Sequence, residues 1–458
     1  MRRKLGKIQI IAILAVGFSA NGQAKKWTIE ECVAHALKNN ISVKQSELDV
    51  KSAEIEKSTA IGYFLPTING GANHSWNVGL NQNITTGLLV NTTTQYSSVG
   101  LNSNIALYGG LQNHNRLQRA KLSQLASQYQ LSKMQDDISL YVANAYLEIL
   151  FNKENVKIQQ EQLTNDEKQM QRSEELVNAG VIPRGDLLDM KATVASDKQK
   201  LVVVENSLLI SKLSLAQLLK VEDFQYFDIA DVDYEAEKSP VMMESPEAVV
   251  EKAKEVRSEI KIAQANVDIA DKDISLAKGA YQPSLAGQYS FSTRASYSDT
   301  FGGIDGNGNP VTEPALPVLD QFDKNKGHYF ALQLSIPILN GFSVRNNVER
   351  NKVNFERNKN ALDQAKLDLE TNVYKAITDA KGALKTYETS VSTLEARQEA
   401  FNYAKEKFNV GMMNAFDYNQ SQTVYVAAQA ESVRAKYDYI FKVKVVELYF
   451  GIPIIQKQ

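Results

Sequence analysis

The chain has 458 residues, 23% of them charged, with a formal net charge of −2. That balance supplies no electrostatic footprint for nucleic acid. A single cysteine, Cys32, excludes an intrachain disulfide framework.

Residues 1–24 read as a secretory signal: Met1-Arg2-Arg3-Lys4, an apolar run from Ile8 to Phe18, then Gly22-Gln23-Ala24 before the expected cut. The run is too short to span a bilayer. Cys32 follows Glu30-Glu31 rather than the small apolar residues that precede a lipidated cysteine, so it reads as a small helix residue. Beyond Ala24 no run approaches eighteen apolar residues, and no transmembrane helix is expected.

Over 25–65, Thr28 is placed to cap a helix whose first turn carries Glu30 and Glu31. Val33, Ala36, Leu37, Ile41, Leu48 and Ile55 continue its spacing to about Gly62, and Pro66 stops it. Charge then vanishes. From Ser58 through Asn115 there is no Asp, Glu, Lys or Arg, where the chain average would place about thirteen. Val99, Leu101, Ile105 and Leu107 alternate with Asn102, Asn104 and Ala106, the period of a strand. With Trp76, Tyr96 and Tyr108 in the same stretch, 66–108 is expected to be a membrane β-hairpin. A soluble hairpin would carry lysines on its wet face.

Residues 109–220 hold the dominant element. Leu111 to Ala179 contains no glycine or proline, and Val156, Leu163, Met170 and Val177 recur every seven residues. Leu131, Ile138 and Ala145 do the same upstream, which makes the seam of a packed helix with one four-residue step between Ala145 and Ile149. At 1.5 Å per residue it reaches roughly 100 Å. Pro183 and Gly185 then turn the chain and Asp186 is placed to cap a helix running back to about Leu219, so Gly180 marks a far tip.

A mixed connector, 221–245, leads into a second copy. A helix over 246–282 runs from Pro246 to Lys278, and Pro283 repeats Pro66 at an offset of 217 in the numbering. A second hairpin spans 283–338, where Leu285, Gly287, Tyr289 and Phe291 alternate with small polar residues, as do Phe330, Leu332 and Leu334. Over 339–458, Phe342 to Val410 repeats the long helix and Asp417 opens the last one. Gly110 and Gly341, Gly180 and Gly411, Asp186 and Asp417 are all related by a larger offset, 231. The offset therefore grows by fourteen across the second hairpin, and the insertion falls most simply in the outer loop Asp299–Lys326. Such a duplication decides the architecture.

Four strands cannot close a barrel, and an open edge in lipid leaves backbone unpaired. Three chains would supply twelve strands. The expected fold is therefore mainly α with a membrane β portion: a long α-helical barrel joined to a transmembrane β-barrel that a trimer completes.

Over nearly the whole mature sequence the chain resembles the TolC family of outer-membrane efflux and secretion ducts. The resemblance rests on Trp27-Thr28-Ile29-Glu30-Glu31-Cys32-Val33 through Asn39-Asn40, and on Tyr63-Phe64-Leu65-Pro66-Thr67-Ile68 with its echo Tyr281-Gln282-Pro283-Ser284-Leu285. It rests also on Gly110 and Gly341, and on Phe408-Asn409-Val410-Gly411 followed by Asp417. It implies a passive homotrimeric exit duct of a tripartite efflux pump, set in the outer membrane of a Gram-negative bacterium and reaching into the periplasm. Its partners would be outer-membrane lipid, a periplasmic adaptor and an inner-membrane pump; it implies no cofactor and no nucleic acid. The adaptor would dock at the tips, at Gly180, Val181, Gly411 and Met412. A pore gate would use Asp417, with Gln420 where the family carries a second acid, and Asp186, whose usual partners are Phe408 and Met413 here, leaving Arg184 as the available cation. Plain helix capping is the competing role for Asp186 and Asp417.

Protein secretion or metal export through the same kind of duct stays open, as does a trimeric coiled-coil stalk, although two hairpins each followed by a returning helix pair favour the duct. The four histidines lack metal-ligand spacing. Asp136-Asp137 reads as a solvated helix face. Asp305-Gly306-Asn307-Gly308-Asn309 lacks the glycine and terminal Glu of a calcium loop.

Overall fold

The computed structural model describes residues 26–83, 87–222, 224–232, 234–236 and 239–454, so the signal reading of 1–24 lies outside the described residues. A short strand β1 (Lys26–Trp27) leads into α1 (Ile29–Asn39) and α2 (Ile41–Gly62). Thr28 and Glu31 form a reciprocal capping box at the start of α1. The hairpin β2 (Thr67–Gln82) and β3 (Leu89–Gly109) follows, then α3 (Gln112–Asn178) and α4 (Arg184–Leu219). A connector with β4 (Asp228–Ile229), paired in parallel with β1, precedes α5 (Pro246–Val256) and α6 (Ser258–Gly279). The second hairpin, β5 (Ser284–Ser296) and β8 (Gly327–Ser335), encloses β6 (Thr300–Ile304), β7 (Pro310–Glu313) and α7 (Val318–Lys324). The chain ends in α8 (Ser343–Asn409) and α9 (Ala415–Phe450).

The duplication is exact in length. Helices α1 and α5 have 11 residues, α2 and α6 have 22, α3 and α8 have 67, and α4 and α9 have 36. Two helices expected to be continuous are broken, at Asn40 and at Arg257, both with extended ψ (137° and 133°). These two positions are themselves related by the offset of 217. Asn40 turns its side chain to the Ser42 amide (2.8 Å) and the Leu218 carbonyl (2.9 Å). Arg257 is buried and donates to Asp136 and Glu259, each at 3.0 Å, with Tyr449 beneath its guanidinium. Asp136 is therefore an ion-pair partner and not part of a freely solvated face. Each strand-to-helix junction carries two consecutive left-handed residues, Gly110-Leu111 and Gly341-Phe342. For Leu and Phe that conformation costs about 1–2 kcal/mol, so both copies hold the same strained corner.

Strand order is β2-β3-β5-β8, antiparallel throughout. Cross-strand register gives the sheet two unlike faces. Ala72–Val99, Leu101–Phe291, Tyr289–Phe330 and Leu285–Leu334 lie on one. Asn73–Ser98, Asn69–Asn102, Asn104–Gln288 and Ala286–Gln333 lie on the other. Arg294, paired with Ser98 on the polar face, is the sole Asp, Glu, Lys or Arg in the four strands. The second outer loop is folded, with β6, β7 and α7 between β5 and β8. Asp305 accepts from the Asn307 and Asn309 amides (2.9 and 2.8 Å), so its carboxylate closes the β6–β7 turn. Beyond β8, Gln321 and Asn325 of α7 bond the free edge of β5 at Ser296 and Arg294.

The helices form a wall in the order of the strands. Helices α2, α3, α6 and α8 lie side by side near the sheet, and α4, α3, α9 and α8 do so farther away. Each strand runs on from, or into, the helix beneath it. Buried side chains of α1, α3 and α4, with Tyr146 at their centre, make one core, and those of α5, α6 and α8 make another. The Tyr146 hydroxyl faces the carbonyls of Trp27 (3.3 Å) and Ala230 (3.1 Å), fixing the connector to the wall. Arg257→Ala strands two carboxylates and is expected to cost about 3 kcal/mol, against about 1 kcal/mol for Tyr146→Phe. Urea unfolding of the purified protein checks both.

Candidate functional site

Each long hairpin ends in a glycine turn. Gly180 (φ 72°) and Gly411 (φ 77°) sit just past the long helices, and the next amide of each turn bonds back five residues, Val181 to Leu176 and Met412 to Lys407. A Cβ on either glycine would meet nothing within 4 Å. The two turns flank a cleft of about 580 Å³, whose lining includes Val181, Asp186, Gly411 and Met412. Val181 and Met412 are exposed, at 66% and 76%.

Neither expected acid is the cap. Pro183 occupies the N-cap of α4 and Asp186 the third helical position. At α9 the cap is Asn414, whose Oδ1 accepts from the Asp417 amide (2.8 Å) while its Nδ2 donates to the Asp417 carboxylate (3.0 Å). Capping residues are set by where the backbone leaves the helix, which here lies three residues earlier than the acid. Asp417 and Gln420 are exposed on one face of α9, one turn apart, and Asp186 is half-buried in the cleft. Arg184 is exposed and forms no ion pair with Asp186 among the described residues. The cation that joins the two tips is Arg172, donating to the side chain (2.7 Å) and carbonyl (3.2 Å) of Asn409. Nothing in its local sequence marks it, because its partner lies 237 residues away.

Above the cleft, the α8–α9 hairpin is stitched by stacked rings: Phe408 on Tyr418, and Phe401 on Tyr425. Contact between the two hairpins is polar instead. Gln422 of α9 donates to buried Asp166 of α3 (2.8 Å), and Asn419 donates to Thr193 of α4 (3.1 Å). Asp166 also accepts from Gln162 (2.7 Å), and Asp197, equally buried, accepts from Lys200 (2.9 Å). Burial pushes the Asp166 carboxyl up to about 7, reinforced by its hydrogen bond with Asp197; Gln422 and Gln162 act the other way. The Asp166 carboxyl therefore keeps its proton to a higher pH than a free Asp does. Tyr418 faces Asp166 from α9, and the Lys198–Glu167 pair links α4 to α3 alongside.

A sheet with one apolar and one amide-lined face, carried on a helical wall, defines an outer-membrane channel protein. The model of the family described as outer membrane efflux protein matches residues 33–219 and 249–447, and the chain belongs to that family. Outer membrane protein TolC of Vibrio cholerae is 24% identical over 335 residues, 70% of this chain and 69% of the relative. Outer membrane efflux protein BepC of Brucella suis is 21% identical over 94% of this chain and 86% of its own. The crystal structure of the outer membrane protein VceC from Vibrio cholerae superposes with a TM-score of 0.74 at 13% identity, covering 92% of this chain and 96% of that one. The stalk alternative falls with this membership.

The folded chain holds the Asp166 proton up to about pH 7 while an unfolded Asp releases it near its ordinary value of about 3.9. Stability from this group is therefore complete below about pH 4 and falls as pH rises through about 7. The melting temperature should decline across that window, and Asp166→Asn should flatten the profile.

Proposed function

We propose that three copies of the chain close into a passive exit duct that carries small molecules across the periplasm and the outer membrane. The observation that carries this reading is the shared order of strands and helices, with both ends of that order unpartnered. Strands β2 and β8 pair on one side only among the described residues. On the rim beside β2, Ile41, Leu48 and Ile55 recur every seven residues along α2, exposed at 69%, 58% and 60%. On α4 below, Val202, Val203, Leu209 and Ile210 are exposed as well. This helix contains an eighteen-residue window of mean hydropathy 1.4, long and apolar enough by composition to cross a membrane, contrary to the expectation from its sequence. Its place in the wall supports a neighbouring chain as the cover of that surface. The opposite rim, α8, exposes Val353 and Leu367. Covering each such side chain gains about 1.5–3 kcal/mol. Two chains would give eight strands, whose interior side chains fill; three give twelve and leave a lumen.

The amide-lined face then surrounds the lumen, with Arg294 as its one charge per chain. At the far end, the exposed turns at Gly180, Val181, Gly411 and Met412 suit docking of a periplasmic adaptor that couples the duct to an inner-membrane pump. Asp417 and Gln420, on an exposed face of α9, suit a pore ring, with Asp186 and Arg184 beside the cleft.

Planar-bilayer conductance of the purified protein tests the duct. Discrete cation-preferring openings, blocked by a millimolar divalent cation and freed by Asp417→Ala, are expected; block that survives Asp417→Ala removes that residue from the pore. Gly180→Trp and Gly411→Trp should abolish drug tolerance with oligomers intact, since both sites face open space and the strain of a side chain at positive φ falls on the turn alone. Unchanged tolerance would discard the docking assignment.

A further inference from the structure

The two copies within one chain already display the contact that two separate chains must make. Helix α6 repeats α2 and lies between α3 and α8. One side of α6 meets α8 as α2 meets α3. Its other side meets α3, and the repeat of that contact joins α2 to α8, which lie on opposite rims of the wall. We infer that α2 of one chain docks on α8 of the next in the geometry that α6 takes against α3, with Gly62 against Gly341, Glu56 against Arg350 and Leu65 against Leu339. This rests on the ring proposed above and names its interface.

Three contacts inside the chain supply the template. Gly110 and Gly279 touch so closely that a Cβ on Gly110 would lie 2.1 Å from the Gly279 carbonyl oxygen, and one on Gly279 would lie 2.6 Å from that of Gly110. Arg119 bonds Asp273 at 2.7 Å. The Tyr108 hydroxyl donates to Gln282. Shifting the α3-side residue by 231 and the α6-side residue by 217 converts these pairs to Gly341–Gly62, Arg350–Glu56 and Leu339–Leu65.

Each converted pair is chemically matched, although nothing in a single chain enforces it. Glycine meets glycine where only glycine fits. Arginine meets a carboxylate again, with Glu in place of Asp. A polar pair becomes an apolar one on both sides at once. The converted residues also stand unpartnered: Gly62 and Gly341 have open space at a Cβ, Leu65 and Leu339 are 62% and 89% exposed, and Glu56 and Arg350 are exposed without an ion pair among the described residues. Their repeats, Gly110, Arg119 and Tyr108 on the α3 side and Gly279, Asp273 and Gln282 on the α6 side, are engaged within the chain. The occupant of this rim is thus a second copy of the protein.

The test is cross-linking of the full-length protein in a Cys32→Ser background with a short bismaleimide. Glu56→Cys together with Arg350→Cys should give dimer and trimer bands, and either cysteine alone should give none. Arg350→Glu should lower the melting temperature of the oligomer, and Glu56→Arg added to it should restore the loss. An oligomer that forms normally yet cross-links no better with both cysteines than with one overturns the inferred pairing and leaves the ring. A wild-type protein that stays monomeric in detergent and in membranes overturns the ring itself.

Discussion

A backbone amide in hydrocarbon has no water to fall back on, and that cost governs the rest of this chain. It forbids the four-stranded sheet from standing with open edges. Each strand is continuous with one helix, so the requirement passes down into the wall: whatever closes the sheet must close the helices in the same order. The apolar heptads on α2 and α4 and the exposed residues of α8 answer a demand that originates in the membrane. The length of α3 and α8, 67 residues each, then sets how far from the membrane the tips stand.

Much of this was legible because it was written twice. The charge-free, alternating stretch marked the first hairpin, and offsets of 231 and 217 tied the second hairpin and the second tip to the first. What stayed hidden depends on distant partners. Arg257 carries no turn signal, and its break is held by neighbouring Glu259 together with Asp136, which only the fold brings near. Arg172 could not be distinguished from other surface arginines of α3. Asp186 and Asp417 have the right side chains for caps, yet Pro183 and Asn414 hold those positions. Leu111 and Phe342 look like ordinary first residues of a helix, and their left-handed backbone follows from the corner, not from their identity.

The tip combines two kinds of adhesion. Within the second hairpin, aromatic stacking binds α8 to α9 with little dependence on solvent conditions. Between hairpins, amides, the buried Asp166 carboxyl and one arginine make the contact. Hydrogen-bonded contacts exchange readily with water once parted, whereas stacked rings lose contact area that water does not replace.

The inserted outer loop has a further meaning. The first hairpin turns in a few residues, Asn83 to Leu88, while the second carries β6, β7 and α7. In a closed ring, short and long loops alternate, so a rim built on six similar hairpins presents only three prominent crowns to the world outside the cell. Helix α7 ties each crown to its own β5. Sequence can drift there under pressure from whatever meets the cell surface while the wall, the lumen and the tips stay as they are.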